Sequence, residues 1–346
     1  MGERTIQDLQ QLQGLPLNLK IRMTKDRIRQ WINAYGKNGV YVSFSGGKDS
    51  TVLLHLVREM YGGSIPGVFC DTGLEYPEIR EYVRTFSNIV WLKPKMGFKK
   101  VIEQFGYPVI SKDVAQCVFD VNTQARILKC DKRETKLWDR TFNPESEYAK
   151  KYPGFSRSKY DFLNDAPFPV SHRCCDIIKK KPSKQYEKET GRKPILATMT
   201  CESRLRQTQW RKYGCNAFEG KRQVSKPMSF WTENDVLQYI KQKEIKICSV
   251  YGDIVEVNEL PGQINWYEYI GFDIGQTKYM TTGCKRTGCM FCLFGCSNND
   301  WDNLRRMKKT HPKQYDYIMR PWEEGGLNYK EVIDWINEHG NMNIKY

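Results

Sequence analysis

Residues 39–61 read GVYVSFSGGKDSTVLLHLVREMY, and this stretch limits the fold more than any other. GVYVSFS is a short β-branched and aromatic run suited to a buried strand. TVLLHLVREMY has the apolar periodicity of a helix, stopped by Gly62 and Gly63. Between the two lie Ser45, Gly46, Gly47, Lys48, Asp49 and Ser50. A strand that feeds a helix through a glycine turn suits phosphate binding. Glycines let the backbone approach an anion closely, and the amides of the helix N-terminus point at it. Ser45 and Ser50 can add hydroxyl donors, and Lys48 a positive charge. A Walker A loop is excluded, because Asp49 rather than Ser or Thr follows Lys48.

The flanking sequence repeats the strand–helix alternation. IPGVFCD and NIVWLK read as strands around a helical YPEIREYVRTF, and KPILATM resumes strand character near residue 194. A helix is expected at ENDVLQYIKQ, with Thr232 as its N-cap, and another over residues 18–35. Alternating strands and helices imply right-handed βαβ units. The expected fold class is therefore α/β: an open, mostly parallel twisted sheet with helices on both faces, plus a Cys-rich loop and helical C-terminal subdomain. The expected organisation is an N-terminal helical segment (1–36), a nucleotide-binding α/β domain (37–248) and a Cys-rich metal-binding and helical region (249–346). An irregular, partly helical insertion is expected at about 120–170, where Pro144, Pro153, Pro167 and Pro169 interrupt a mixture of aromatic and basic residues.

Bulk properties narrow the function. The formal net charge is +15, and excess positive charge attracts polyanions. No run of about 18 apolar residues is present, so no membrane partner is expected. The polar N-terminus MGERTIQDLQQLQ argues against a targeting segment, and a cytoplasmic location is expected. In that compartment twelve cysteines suggest metal or redox chemistry rather than a disulfide framework. Cys70, Cys117 and Cys248 lie singly in apolar surroundings and read as small buried hydrophobes.

SGGKDS resembles the PP-loop signature of adenine-nucleotide α-hydrolase-like enzymes, in which the loop holds a phosphate or pyrophosphate. Three further segments follow in the same order. FCDTGLEYPE is similar to a second family motif at Asp71, Thr72 and Gly73. ATMTCESRLRQ resembles a Glu-Ser strand end with nearby arginines. KPMSFWTENDVLQYI resembles a Pro…Trp-Thr…Asp-Val…Tyr-Ile segment. Together they resemble the phosphoadenosine phosphosulfate reductase family, in its cluster-bearing branch. The resemblance implies that Ser45–Ser50 cradle phosphate and that Asp71, Thr72 and Gly73 sit beside the nucleotide. It also implies that Glu202, Arg204 and Arg206 line the anionic end of the substrate. Lys48, Asp49 and Arg204 are the candidate catalytic residues. ATP or a sulfonucleotide (APS or PAPS) is the expected ligand, and Mg2+ is a candidate companion.

Two cysteine groups could bind metal. SHRCCDIIKKKP carries Cys174 and Cys175, and TGCKRTGCMFCLFGC carries Cys284, Cys289, Cys292 and Cys296. A C-x2-C pair lets two thiolates meet one metal centre from a tight turn, and four thiolates suit zinc or an iron–sulfur cluster. The downstream four form one candidate set. Cys174 and Cys175 with Cys289 and Cys292 form the other, which resembles the arrangement that holds a [4Fe-4S] cluster in the adenylyl-sulfate reductase branch. The second set is preferred, with Cys284 and Cys296 as alternates and zinc as the alternative metal. Lys179 and Lys180 would offset the cluster's negative charge.

The chain departs from the assimilatory reductases in lacking a cysteine after Cys296, where those enzymes carry a nucleophile. Sulfonucleotide reduction with sulfite release therefore becomes the alternative, requiring Cys296 or another cysteine to substitute. The first expectation is ATP pyrophosphatase-type activation of a substrate for sulfur transfer. Nucleic acid is the candidate substrate and a sulfur-donor protein a candidate partner. Trp138, Tyr148, Tyr152 and Phe155 of the insertion would supply stacking surfaces. A third reading, from a different class, is a non-catalytic nucleotide-binding module of a nucleic-acid assembly.

Overall fold

A computed structural model describes residues 4–220, 222–257, 277–298 and 301–346. The described chain divides into two compact units. The first holds residues 1–71, 75–93 and 183–287, and the second holds 72–74, 94–182 and 288–346.

The strands in chain order are β1 (Val40–Ser43), β2 (Gly67–Cys70), β3 (Ile89–Leu92), β4 (Val109–Ile110) and β5 (Lys193–Ile195). They continue with β6 (Asn216–Ala217), β7 (Val224–Ser225), β8 (Ile254–Val257), β9 (Lys278–Thr281) and β10 (Leu293–Phe294). The first unit is built on a six-stranded sheet of order β3-β2-β1-β5-β7-β6. Its neighbours pair in parallel, apart from the antiparallel edge pair β6–β7. The expected α/β class, with a mostly parallel sheet flanked by helices, is what the chain adopts. Val40, Tyr41 and Val42 are at most 1% exposed, as a strand between two parallel neighbours requires. Gly67 allows close packing within the sheet, since a Cβ there would lie 2.5 Å from Ile89 Cδ1.

Two helices carry much of the core beside this sheet. Leu17–Tyr35 buries Thr24, Ile28, Trp31 and Ile32. Its Lys20, 2% exposed, places Nζ 2.7 Å from Asp235 Oδ2. Asp235 also closes a capping box at the start of Glu233–Gln242. Its backbone N–H donates to the Thr232 hydroxyl at 3.3 Å, and its carboxylate accepts from the Thr232 N–H at 2.6 Å. Trp231 Nε1 donates to the Thr24 hydroxyl at 2.8 Å, joining the two helices through a satisfied buried polar contact.

The second unit is held by a short parallel pairing, with β10 beside β4 in the register Leu293↔Val109 and Phe294↔Ile110. Tyr107 and Val170 form an isolated bridge next to it. Buried Tyr329, on the helix Tyr329–Gly340, donates its hydroxyl to the Phe291 carbonyl at 2.6 Å. The expected irregular insertion begins on a regular helix, Lys112–Leu128, capped by the Ser111 hydroxyl. Short helices at Lys136–Thr141 and Glu147–Lys151 follow. Among the described residues no helix is long and apolar enough to cross a membrane.

Candidate phosphate-binding loop and cysteine cluster

The order β2-β1-β5 reverses direction at β1, so the loop leaving β1 opens where an α/β sheet leaves a crevice for a ligand. Gly46 has φ +71, the left-handed region that glycine enters without strain. A Cβ on it would lie 2.8 Å from Val83 and 2.9 Å from Ile79, both on the helix Pro77–Arg84. Gly47 is the N-cap of Lys48–Tyr61 and its N–H donates to the Ser45 hydroxyl at 3.3 Å. The Ser45 and Ser50 hydroxyls lie 3.0 Å apart, and the Ser45 N–H reaches Ser50 Oγ at 3.1 Å. The two serines thus brace the turn in the free protein, with their hydroxyls beside the helix N-terminus.

Lys48 is 3% exposed and its ammonium is held by two acceptors, Glu233 at 2.8 Å and the Lys285 carbonyl at 2.5 Å. Its backbone N–H donates to the Tyr251 hydroxyl at 3.2 Å, and that hydroxyl lies 2.6 Å from Thr287 Oγ1. Asp49 follows in the first turn, with Oδ1 buried and without a hydrogen-bond partner among the described residues. Asp71 follows directly after β2 and accepts from Arg80 at 2.9 Å. Thr72 and Gly73 follow it and belong to the second unit, where the Leu74 N–H donates to the Thr72 hydroxyl at 3.2 Å.

Glu202 pairs with Arg206 and lies 3.5 Å from Arg286. Arg206 also donates to the Met199 carbonyl at 3.3 Å. Arg204 begins the helix Arg204–Tyr213 and is exposed, with no ion-pair partner among the described residues. Sequence reasoning missed Glu233, Tyr251, Lys285, Arg286 and Thr287 as neighbours of the loop. They come from segments more than 180 residues downstream; Glu233 lies within the Trp-Thr…Asp-Val segment and Lys285 to Thr287 between two cysteines, but nothing local ties either to the loop. It also passed over Cys201, an exposed thiol between Thr200 and Glu202 whose Sγ is 3.6 Å from the Trp231 carbonyl. Burial pushes the Cys201 thiol up, Arg286 pulls it down, and Asp49 adds to the upward push.

In the second unit, Cys174, Cys175, Cys289 and Cys292 act on one another electrostatically. Cys174 and Cys175 are adjacent in the chain, and the influence of each thiol on the other is the strongest in this group. It holds the Cys175 thiol well below its ordinary value, aided by Lys112 and Lys179, and raises Cys174. Burial pushes Cys292 up to about 12, and Cys289 and Cys175 add to that. The C-x2-C segment turns tightly, with the Cys292 N–H on the Cys289 carbonyl at 3.1 Å. A π-helical turn, Asp176–Lys180, follows the paired cysteines. Cys296 is buried with its N–H on the Leu293 carbonyl, and its thiol is pushed up to about 11 by burial. Cys284 lies in the first unit, where its charge raises Cys248. Among the described residues no three His, Cys, Asp or Glu side chains are arranged to hold a single metal ion. A [4Fe-4S] cluster makes a different demand, since each of its four thiolates binds a separate iron. Four mutually interacting thiols with lysines alongside fit that donor requirement.

Of the four aromatic residues expected to stack, Trp138 is tied to Asp161 through Nε1 at 2.6 Å. Tyr148 is covered by Arg140, whose guanidinium lies 4.2 Å from the ring centre. Tyr152 and Phe155 are exposed, at 42% and 65%.

Burial raises the Asp49 carboxyl above its ordinary value, against the pull of Lys48 and with reinforcement from Glu233. An acid with a raised folded pKa favours folding only while protonated, and that contribution fades as pH rises from the unfolded pKa towards the folded one. At neutral pH the free protein therefore bears the penalty of a buried carboxylate. Asp49→Asn should raise the melting temperature at pH 7 by about 1–4 °C, the usual size of a single-site stabilisation, because the amide carries no charge to desolvate. The gain should shrink towards pH 4. Thermal melts across that range check it, and a lower melting temperature for the variant at pH 7 contradicts it.

A family model described as "Phosphoadenosine phosphosulfate reductase domain" matches residues 39–138 and 121–293, together more than half of the chain. An uncharacterized protein of Methanocaldococcus jannaschii is 37% identical over 86 residues, 23% of this chain. The chain spans only 17% of the length of that relative. A crystal structure of phosphoadenylyl-sulfate (PAPS) reductase from Candida auris, in a phosphate complex, aligns at 13% identity with a TM-score of 0.37. That alignment covers 71% of this chain and 90% of the other, and is too distant to carry an argument. The family-model match, over a segment that includes the loop Ser45–Ser50, places this chain in the phosphoadenosine phosphosulfate reductase domain family.

Proposed function

We propose that this chain is an ATP-dependent enzyme that activates a polyanionic substrate, nucleic acid in the first instance, for sulfur transfer. Ser45–Ser50 would bind the pyrophosphate end of the nucleotide, with Asp71, just after the neighbouring strand β2, beside it. Lys48 and Asp49 stand at the N-terminus of the same helix, where developing negative charge is stabilised by oriented amides. Lys48 would exchange its contact with Glu233 for a phosphate oxygen, and Mg2+ would accompany the nucleotide near Asp49. Glu202 holds Arg206 and Arg286 in place, and with exposed Arg204 these arginines would receive the anionic end of the substrate. Cys174, Cys175, Cys289 and Cys292 would hold a [4Fe-4S] cluster, which when bound supplies a site for sulfur binding or delivery. The sulfur itself would come from a donor protein.

The observation that carries this reading is the meeting of two thiol pairs more than 110 residues apart in one unit of a chain with a phosphate-binding loop. A second reading, sulfonucleotide reduction with release of sulfite, is favoured by one observation. Cys201 lies within electrostatic reach of Asp49 and Arg286 and is exposed. It would attack the sulfonucleotide sulfur, with AMP or its 3′-phosphorylated form leaving and the thiol becoming an S-sulfocysteine, from which a dithiol reductant, itself oxidised to a disulfide, would release sulfite.

Anaerobic purification should give a brown protein with a broad visible absorption band. The band should be lost in a Cys174→Ser/Cys175→Ser variant and kept in Cys284→Ser/Cys296→Ser; colourless, zinc-loaded wild-type protein contradicts the cluster. Product analysis separates the two reactions. Pyrophosphate release from ATP that rises with added nucleic acid is expected, whereas sulfite from a sulfonucleotide, abolished by Cys201→Ser, would replace the first reading with the second.

A further inference from the structure

The second unit contains a cavity of about 370 Å³ that the phosphate-binding loop does not use. One wall is a single face of the helix Lys112–Leu128. Phe119, Asn122, Thr123 and Arg126 follow the i, i+3, i+4, i+7 spacing that aligns side chains on a helix. The end of the helix Phe98–Phe105 supplies Gln104 and Phe105, and Leu163–Val170 supplies Asn164 and Phe168.

The walls are fixed by close packing. Gly106 has φ +102, and a Cβ on it would collide with the Pro169 carbonyl, so glycine is required where the two segments meet. The Tyr107 N–H donates to that same carbonyl at 2.8 Å. Arg173 lies behind the aromatic wall, its guanidinium 5.5 Å from the Phe105 ring centre and 5.7 Å from that of Phe119.

The chemistry of the lining is specific. Asn164 is 2% exposed and its amide nitrogen donates to Asp161 at 3.0 Å. Its Oδ1 is buried without a hydrogen-bond partner among the described residues, a costly state for a polar atom. Lys132 donates to the Asn164 backbone carbonyl and lines the cavity. Arg126 is exposed at the cavity with no ion-pair partner among the described residues. Aromatic faces, amides offering both donors and acceptors, and an unpaired guanidinium match the three parts of a nucleotide: a flat base, its hydrogen-bonding edge and its phosphate. A volume of this size lies within the range of small-molecule sites.

We propose that this cavity is a second nucleotide pocket, holding one nucleobase against its phenylalanine wall and the attached phosphate at Arg126. The nucleotide could be free or one unpaired member of a strand, and the test distinguishes these sources. The pocket does not depend on the function proposed for the loop.

The experiment uses the full chain carrying Gly47→Val, which blocks the loop. Binding of radiolabelled AMP and UMP is measured by equilibrium dialysis, and that of a 3′-fluorescein ten-nucleotide single strand by anisotropy. Adding Thr123→Trp, which fills the cavity from the helix face that lines it, should weaken binding at least about fivefold, as loss of base stacking does. Arg126→Glu should do the same, and Lys136→Glu, an exposed charge change outside the cavity, should weaken strand binding far less. Circular dichroism and melting temperature establish that each variant is folded. Mononucleotide binding with these sensitivities identifies a free nucleotide, and strand binding alone identifies a nucleic-acid base. The proposal is overturned if folded Gly47→Val protein binds none of the probes, or if Thr123→Trp leaves binding unchanged.

Discussion

The first unit depends on a backbone turn that only glycine can make at Gly46. Parallel strand β1 delivers the chain between β2 and β5, and the helix Lys48–Tyr61 must begin almost at once. Positive φ at Gly46 accomplishes the turn, and the missing side chain lets the loop rest against Ile79 and Val83. The result is a helix N-terminus aimed out of the sheet edge at a topological switch point. Two serine hydroxyls brace it before any ligand arrives. The backbone of such a loop is already shaped for an anion, although the Lys48 N–H is held by Tyr251 and its ammonium by Glu233.

Around that turn the free protein holds opposing charges in a confined space. Lys48 is bound to Glu233, Glu202 is shared by two arginines, and Asp49 is buried against its own preference to ionise. Strongly perturbed carboxyls gather at functional sites, which is why Asp49 stands among the candidate residues. The cysteines of the second unit pose a similar problem. Cys174 and Cys292 are pushed towards the protonated thiol, whereas Cys174, Lys112 and Lys179 favour anionic sulfur at Cys175.

Much of this was legible in the sequence because the signals are local. Strand, glycine turn and helix lie within residues 39–61, Thr232 announces its capping box three residues ahead of Asp235, and the paired cysteines are adjacent in the chain. What stayed hidden was set by long-range packing. Tyr251 and Thr287 reach the loop from more than 200 residues away, and Glu233 acts on Lys48 while looking like an ordinary first-turn acid. Trp138 was legible only as an aromatic ring; its indole N–H bonds to Asp161, a contact that no local pattern announces. The cavity beside Phe119 had no sequence signature, because its walls come from three separated segments and only one of them shows helical spacing.

In the function proposed, the amides of Gly46 to Ser50 hold the phosphates of an adenine nucleotide. Hydrogen–deuterium exchange of the full chain, with and without ATP and Mg2+, tests it most directly. The account predicts that ATP slows exchange in peptides covering residues 44–52, with Gly47→Val removing the protection. Saturating ATP that leaves those amides unchanged while protecting another segment would contradict it.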